Sequence, residues 1–119
     1  MFLNSNSDLV NKLEVKTFFF AIGNYSRFSI LAALAGKDLC VSEIVDATGI
    51  EQSNVSHHMD CLLNCGFVSV RKAGKSRVYG LNDEARPIIS SILKHIQRYS
   101  SDIMACDLAN KEYISRVIE

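Results

Sequence analysis

Residues 42–66 read SEIVDATGIEQSNVSHHMDCLLNCG, and this stretch decides the fold. Ser42 is a residue type that caps helix N-termini, and it precedes a predicted helix over residues 43–48 that Gly49 ends. A second helix is predicted over residues 53–65 and stops at the glycine that follows. Two helices joined by a short turn that contains glycine indicate a helix-turn-helix.

The segments on either side of this stretch extend the pattern. After it the apolar period changes from that of a helix to the alternation of paired strands. The predicted flanking elements are a helix around residues 9–22, a helix over 26–34, an extended segment at 39–41, strands at 67–70 and 78–79, and a long helix over about 84–99. The fold class is therefore mainly α with a small β-hairpin, a winged helix-turn-helix in one domain over residues 1–119, with a tail from about residue 100 to 119.

Composition, charge and the lack of certain motifs exclude several classes of function. The 119 residues are 48% hydrophobic and 22% charged, which is typical of a single globular domain. Thirteen basic and thirteen acidic residues give a net charge of zero, so any phosphate contact needs a local basic patch. We expect no membrane span, no signal peptide and a cytoplasmic location. No phosphate loop, acid pair or nucleophile–base arrangement stands out, so we expect neither an enzyme nor a small organic substrate.

The helix over residues 53–65 has two unlike faces when it is projected at 100° per residue. The inner face holds Val55, Met59, Leu62, Leu63 and Gly66. The outer face holds Ser53, Ser56, His57, Asp60 and Asn64, with Gln52 at the helix entrance. Small polar groups of this kind suit base edges and phosphates, although a merely solvated face would look the same.

The predicted hairpin carries four cations around Gly74, namely Arg71, Lys72, Lys75 and Arg77. Such clustering stabilises a hairpin poorly but suits contact with phosphates. Helix and hairpin together favour a DNA-binding protein.

The runs LCVSEI at residues 39–44 and QSNVSHHM at residues 52–59 resemble the ArsR/SmtB family of metal-sensing repressors. The resemblance covers about residues 15–106. It implies a homodimer built from the first and last long helices, binding to a near-palindromic operator, and release of DNA when metal binds. The DNA-binding residues expected on this basis are Gln52, Ser53, Asn54, Ser56, His57, Arg71, Lys72, Lys75 and Arg77.

Two cysteines lie on the predicted recognition helix. Cys61 and Cys65 are four residues apart and share one flank of it. Thiolates bind soft metal ions, which take three or four ligands, and Cys106 is the candidate for the third. The set resembles that of the CmtR-type cadmium and lead sensors within the family, in which the late cysteine comes from the other protomer. Cadmium or lead is the expected effector, with zinc as the alternative; which protomer supplies Cys106 stays open.

Cys40 has a separate interpretation, and two alternative functions remain open for the chain. Cys40 is interpreted as structural, because the family's paired-cysteine site at this point has Ser42 in place of its second cysteine. The same fold with a reversible disulfide from Cys61 or Cys65 to Cys106 would be a redox or persulfide sensor. The neutral charge and the apolar tail at residues 113–118 also fit a protein-interaction module without DNA.

Overall fold

The computed structural model describes residues 11–106, and they form six helices and a three-stranded sheet. In chain order the elements are α1 (Lys12–Ile22), α2 (Tyr25–Gly36), β1 (Leu39–Cys40), α3 (Val41–Thr48), α4 (Gln52–Asn64), β2 (Val68–Ala73), β3 (Ser76–Leu81), α5 (Ala85–Arg98) and α6 (Ser100–Met104). Within these residues no single helix is long and apolar enough to cross a bilayer; α1 and α2 meet that test only as a pair bent by 73°.

The helix-turn-helix consists of α3 and α4, as predicted, but the start of α3 differs from the prediction. Cys40, not Ser42, is the N-cap, and the helix begins at Val41. The reason is that the Glu43 carboxylate accepts the Cys40 backbone N–H at 2.9 Å, which satisfies a free donor at this end. Gly49 ends α3 in the left-handed conformation at φ +75°, a conformation that costs glycine little.

Helix α4 is held by its inner face. Val55, Met59 and Leu62 are fully buried, as the projection predicts, whereas Leu63 is only half-buried and Gly66 is exposed. Leu63 still packs against the edge of the core, whereas Gly66, at φ +80°, lies beyond the C-cap Cys65 and outside the helix. The other predicted boundaries of the long helices, at residues 53, 65, 84 and 99, are each one residue from the observed ends.

The sheet has the order β1-β3-β2 and is antiparallel throughout. The predicted hairpin is therefore present, although Phe67 lies before β2 and is buried in the core. Asn82 joins the sheet to the end of α4, since its side-chain amide donates to the Gly66 carbonyl at 2.6 Å. This bond fixes the hairpin relative to the helix-turn-helix.

One core serves all these elements. Its fully buried members come from α2, α3, α4 and α5, and they are Ile30, Leu31, Leu34, Ile44, Val55, Met59, Leu62 and Ile89. The apolar face predicted for α5 is only partly inside, since Ile88 and Ile96 are exposed. Helix α6 occupies the start of the predicted tail, and the apolar segment at residues 113–118 lies outside the described residues.

Candidate DNA interface and cysteine pair

The outer face of α4 is free of the core. The six side chains that the projection places outward or at the helix entrance are all exposed, and so is Asn54. At the N-terminus the Ser53 hydroxyl donates to the Glu51 carboxylate at 3.1 Å. The face therefore offers hydroxyls, amides and an imidazole to a partner, the groups that recognise base edges and phosphates in a major groove.

A buried arginine ties α4 to the two N-terminal helices. Arg27, only 8% exposed, donates to the carbonyls of Ala21 at 2.7 Å and Phe20 at 3.1 Å, at the C-terminal end of α1. Its guanidinium also lies 3.4 Å from Nδ1 of His58 on α4. Burial lowers the pKa of His58, and the charges of Arg27 and His57 lower it further, so the neutral imidazole is favoured.

The hairpin forms a basic wing beside this helix. Lys72 and Arg77 are directly opposite each other across the strands, an arrangement of like charges that destabilises a sheet. The turn is Gly74-Lys75, with Gly74 at φ +65°. Among residues 11–106 only one wing cation has an ion-pair partner: Arg71, whose Nη2 lies 3.8 Å from the Asp38 carboxylate. Lys72, Lys75 and Arg77 are exposed and available to phosphates.

The cysteines Cys61 and Cys65 lie together at the end of α4. Both are half-buried and pack against the edge of the core. Burial raises the pKa of the Cys65 thiol, and the neighbouring Cys61 raises it further through its charge and a hydrogen bond, while Arg27 acts in the opposite direction. The two side chains are neighbours one turn apart at the end of α4, and the raised pKa favours the protonated thiol of Cys65 until a ligand replaces the proton.

The structure does not bring a third ligand to this pair from the same chain. Cys106, exposed after α6, does not join them, and residues 11–106 contain no group of three histidine, cysteine or acidic side chains that could hold a metal. Cys40 lies apart from the pair, with its sulfur 3.2 Å from the Ser42 hydroxyl. Its position as the N-cap of α3 agrees with a structural role.

Large apolar side chains are exposed on the N-terminal and C-terminal helices. Phe20 and Tyr25 are 76% and 84% exposed, at the junction of α1 and α2. The others are Leu13, Phe19, Ile88, Ile96, Tyr99, Ile103 and Met104. An apolar surface of this extent on a small domain is typical of a protein interface.

Two side chains that join distant elements were not predicted from the sequence. Arg27 connects α1 with α4, and Asp38 accepts Arg86 at 3.4 Å in addition to Arg71. The signal for Arg27 is a lone cation in the otherwise apolar helix YSRFSILAALAG. Asp38 carries no local signal, because its partners lie 33 and 48 residues further along the chain.

Comparison with known proteins identifies the family and the fold. Residues 25–70, which include α2 and the helix-turn-helix, match the model of the arsR family of bacterial regulatory proteins. A probable mercury resistance operon repressor of Streptomyces lividans is 36% identical over 66 residues, 56% of this chain. The alignment spans 53% of that repressor, so the chain matches about half of its length. The arsenical resistance operon repressor of Staphylococcus xylosus is 32% identical over 71 residues, 60% of this chain and 68% of the repressor.

A solved structure confirms the fold. The homodimeric winged helix-turn-helix DNA-binding domain of Mb0332 from Mycobacterium bovis superposes with a TM-score of 0.69 at 20% identity, over 87% of this chain and 94% of that domain. The relatives named here are transcriptional regulators, a class of protein without enzymatic activity, as the sequence analysis expected. The chain belongs to the arsR family of bacterial regulatory proteins.

Proposed function

We propose that this protein is a cytoplasmic, homodimeric transcriptional repressor that binds operator DNA without metal and releases it when cadmium or lead binds to cysteine thiolates. The observation that carries the proposal is the position of Cys61 and Cys65, which lie on the same helix as the exposed polar residues. Metal binding at these two sulfurs would therefore act directly on α4, the helix proposed to contact DNA.

The DNA contacts divide between helix and wing. Gln52, Ser53, Asn54, Ser56 and His57 are exposed along the first turns of α4, the part of a recognition helix that meets base edges. Lys72, Lys75 and Arg77 supply charge to the backbone of the duplex, whereas Arg71 is paired with Asp38. Helix contacts would give sequence preference, and wing contacts would give affinity that depends on salt.

Dimerisation would bury the exposed apolar side chains of α1, α5 and α6. Phe20, Ile96 and Met104 are each between 44% and 76% exposed in the single chain. A two-fold dimer presents two copies of α4 to a near-palindromic site, with half-sites about one helical turn apart. The Mycobacterium bovis domain, which has the same fold, is homodimeric, and this agrees with the arrangement.

The cysteine pair fits a soft metal. Cys61 and Cys65 provide two neighbouring thiols, and Cys106 of the partner protomer is the proposed third ligand, since Cys106 of the same chain does not join the pair. Cadmium and lead favour thiolate ligands, and zinc accepts them as well. The names of relatives as mercury and arsenical resistance repressors support a metal effector in general.

Metal binding must displace protons at this site. Because the pKa of Cys65 is raised, its thiol carries a proton at neutral pH, and each thiol that becomes a ligand releases one. Cadmium affinity should therefore weaken as the pH falls, because the proton of Cys65 competes with the metal.

The decisive experiment measures operator affinity by fluorescence anisotropy with and without cadmium. We expect cadmium to weaken binding at least tenfold, since allosteric coupling is typically 1–3 kcal/mol or about 5- to 150-fold. Cys61→Ser and Cys106→Ser should lose this response, whereas the matched control Cys40→Ser should keep it. An unchanged wild-type affinity, or a full response in Cys61→Ser, contradicts the metal-switch proposal.

Ultraviolet thiolate-to-metal absorption during the same titration separates metal sensing from the redox alternative. Stoichiometric absorption that disappears in Cys65→Ser supports the metal site. Loss of operator binding on oxidation, with no such absorption, would favour the disulfide or persulfide sensor instead.

A further inference from the structure

Asp38 lies where the wing, the centre of the sheet and α5 meet. It follows α2 and immediately precedes β1, and its side chain is 36% exposed. The carboxylate is 3.4 Å from Arg86 in the first turn of α5 and 3.8 Å from Arg71 in β2. The Asp38 carboxylate thus pairs with two arginines, one in β2 and one in α5, and neither element is next to Asp38 in the sequence.

The register of the sheet explains how Asp38 reaches Arg71. Leu39 pairs with Tyr79, which places Asp38 beside Gly80 of the central strand, and Gly80 pairs on its other side with Ser69. Residues opposite each other share a face, and Arg71 follows Ser69 by two positions on that same face. Asp38 and Arg71 are therefore diagonal neighbours across β3.

Gly80 opens the path between them. It is buried, and a Cβ added to it would lie 2.7 Å from the Asp38 Cγ, closer than such atoms approach. The carboxylate occupies the space that any other residue at this position would fill. The absence of a side chain at Gly80 is thus what lets Asp38 lie across the sheet.

We propose that Asp38 is a positioning residue for DNA binding, which pairs with the Arg71 side chain, itself 62% exposed, across the sheet and so withholds one wing cation from phosphate contact. Arg86 keeps the carboxylate in place from the α5 side. The proposal rests on DNA binding by the wing, and it adds that Asp38 limits the affinity that the wing contributes to DNA of every sequence.

The physical basis is that unrelated DNA is bound almost entirely through phosphates. Each additional phosphate contact steepens the dependence of log affinity on log salt by about 0.9 and strengthens binding to every sequence. An arginine that remains paired with Asp38 adds nothing to this term. Its release from both protomers would strengthen binding to DNA of every sequence, unrelated DNA included.

The test measures binding to a duplex of unrelated sequence across a salt series. Asp38→Asn keeps the shape of the side chain and removes its charge. We expect its slope to steepen by about 1.8 for two protomers, so that affinity falls about tenfold more between about 50 and about 200 mM salt. Arg71→Gln alone should leave the slope near that of wild type, and Arg71→Gln added to Asp38→Asn should reverse the steepening.

Asp83→Asn is the matched control. Asp83 lies 3.8 Å from the same Arg86, is fully exposed, and carries the same charge, but it is not paired with Arg71. A slope for Asp38→Asn equal to that for Asp83→Asn overturns the proposal. So does a slope that becomes shallower by about 1.8 in Arg71→Gln alone, because Arg71 would then already be contacting phosphates. The measurement on Arg71→Gln does not depend on whether Asp38→Asn folds. If the DNA affinity of the wild-type protein did not depend on salt, DNA binding by the wing itself would be refuted.

Discussion

Lys75 at the tip of the wing allows the proposed DNA contact to be tested in numbers. It occupies the turn between β2 and β3, is exposed, and forms no ion pair with any of residues 11–106. With Lys72 and Arg77 it makes up the set of wing cations not held by Asp38. Two protomers would then bring about six cations to the phosphates.

Six phosphate contacts predict a salt slope of about −5.4, which corresponds to a ~2,000-fold loss of affinity between about 50 and about 200 mM salt. Lys75→Gln removes one contact from each protomer. The slope should become shallower, at about −3.6, and the loss of affinity should shrink to ~150-fold. The change should be similar for operator and unrelated DNA, since phosphates are the same in every sequence.

Fluorescence anisotropy over the salt series measures this slope directly. Lys94→Gln removes the same charge from the exposed side of α5 and should leave the slope unchanged. Because the side chain of Lys75 makes no contact with the core, thermal unfolding of the variant should match that of wild type. A Lys75→Gln slope equal to that of Lys94→Gln would refute phosphate contact by the wing.

Three further predictions concern stability. Leu62→Ala, at a fully buried site in α4, should lower the free energy of unfolding by about 2–5 kcal/mol in urea denaturation, and a loss below about 1 kcal/mol would contradict its place in the core. Gly66→Ala should lower the free energy of unfolding by about 1–2 kcal/mol because φ is +80°, whereas Gly36→Ala, in a helix with open space around it, should not lower it. The lowered pKa of His58 means that the folded protein binds fewer protons than the unfolded chain, so stability should fall as the pH drops below about 6.5. His58→Gln should flatten that dependence in thermal unfolding, and His95→Gln should not; equal curves for the two variants would show that His58 is not the group responsible.

Local patterns in the sequence were sufficient to predict the helix-turn-helix and the wing. The burial of Val55, Met59 and Leu62 follows from helical periodicity, and the chain reversal at Gly74 follows from the flexibility of glycine. The N-cap of α3 was misplaced by two residues, because the choice between Cys40 and Ser42 depended on where the Glu43 carboxylate found its donor.

Some features of the candidate site could likewise be predicted from sequence spacing, and others could not. Exposure of the outer face of α4 and adjacency of Cys61 and Cys65 were both predicted from spacing along one helix, since residues three or four apart are neighbours whatever the rest of the chain does. The third metal ligand was not settled by spacing, and the single chain does not supply it among residues 11–106.

The sequence by itself therefore determined which helix carries both the exposed polar face and the cysteine pair, because that information is contained within about four turns of one helix. Only the tertiary structure decided that Arg27 lies against His58 and that Asp38 lies 3.8 Å from Arg71. Those contacts join segments more than 30 residues apart, and they exist because the packing of the core and the register of the sheet bring the segments together.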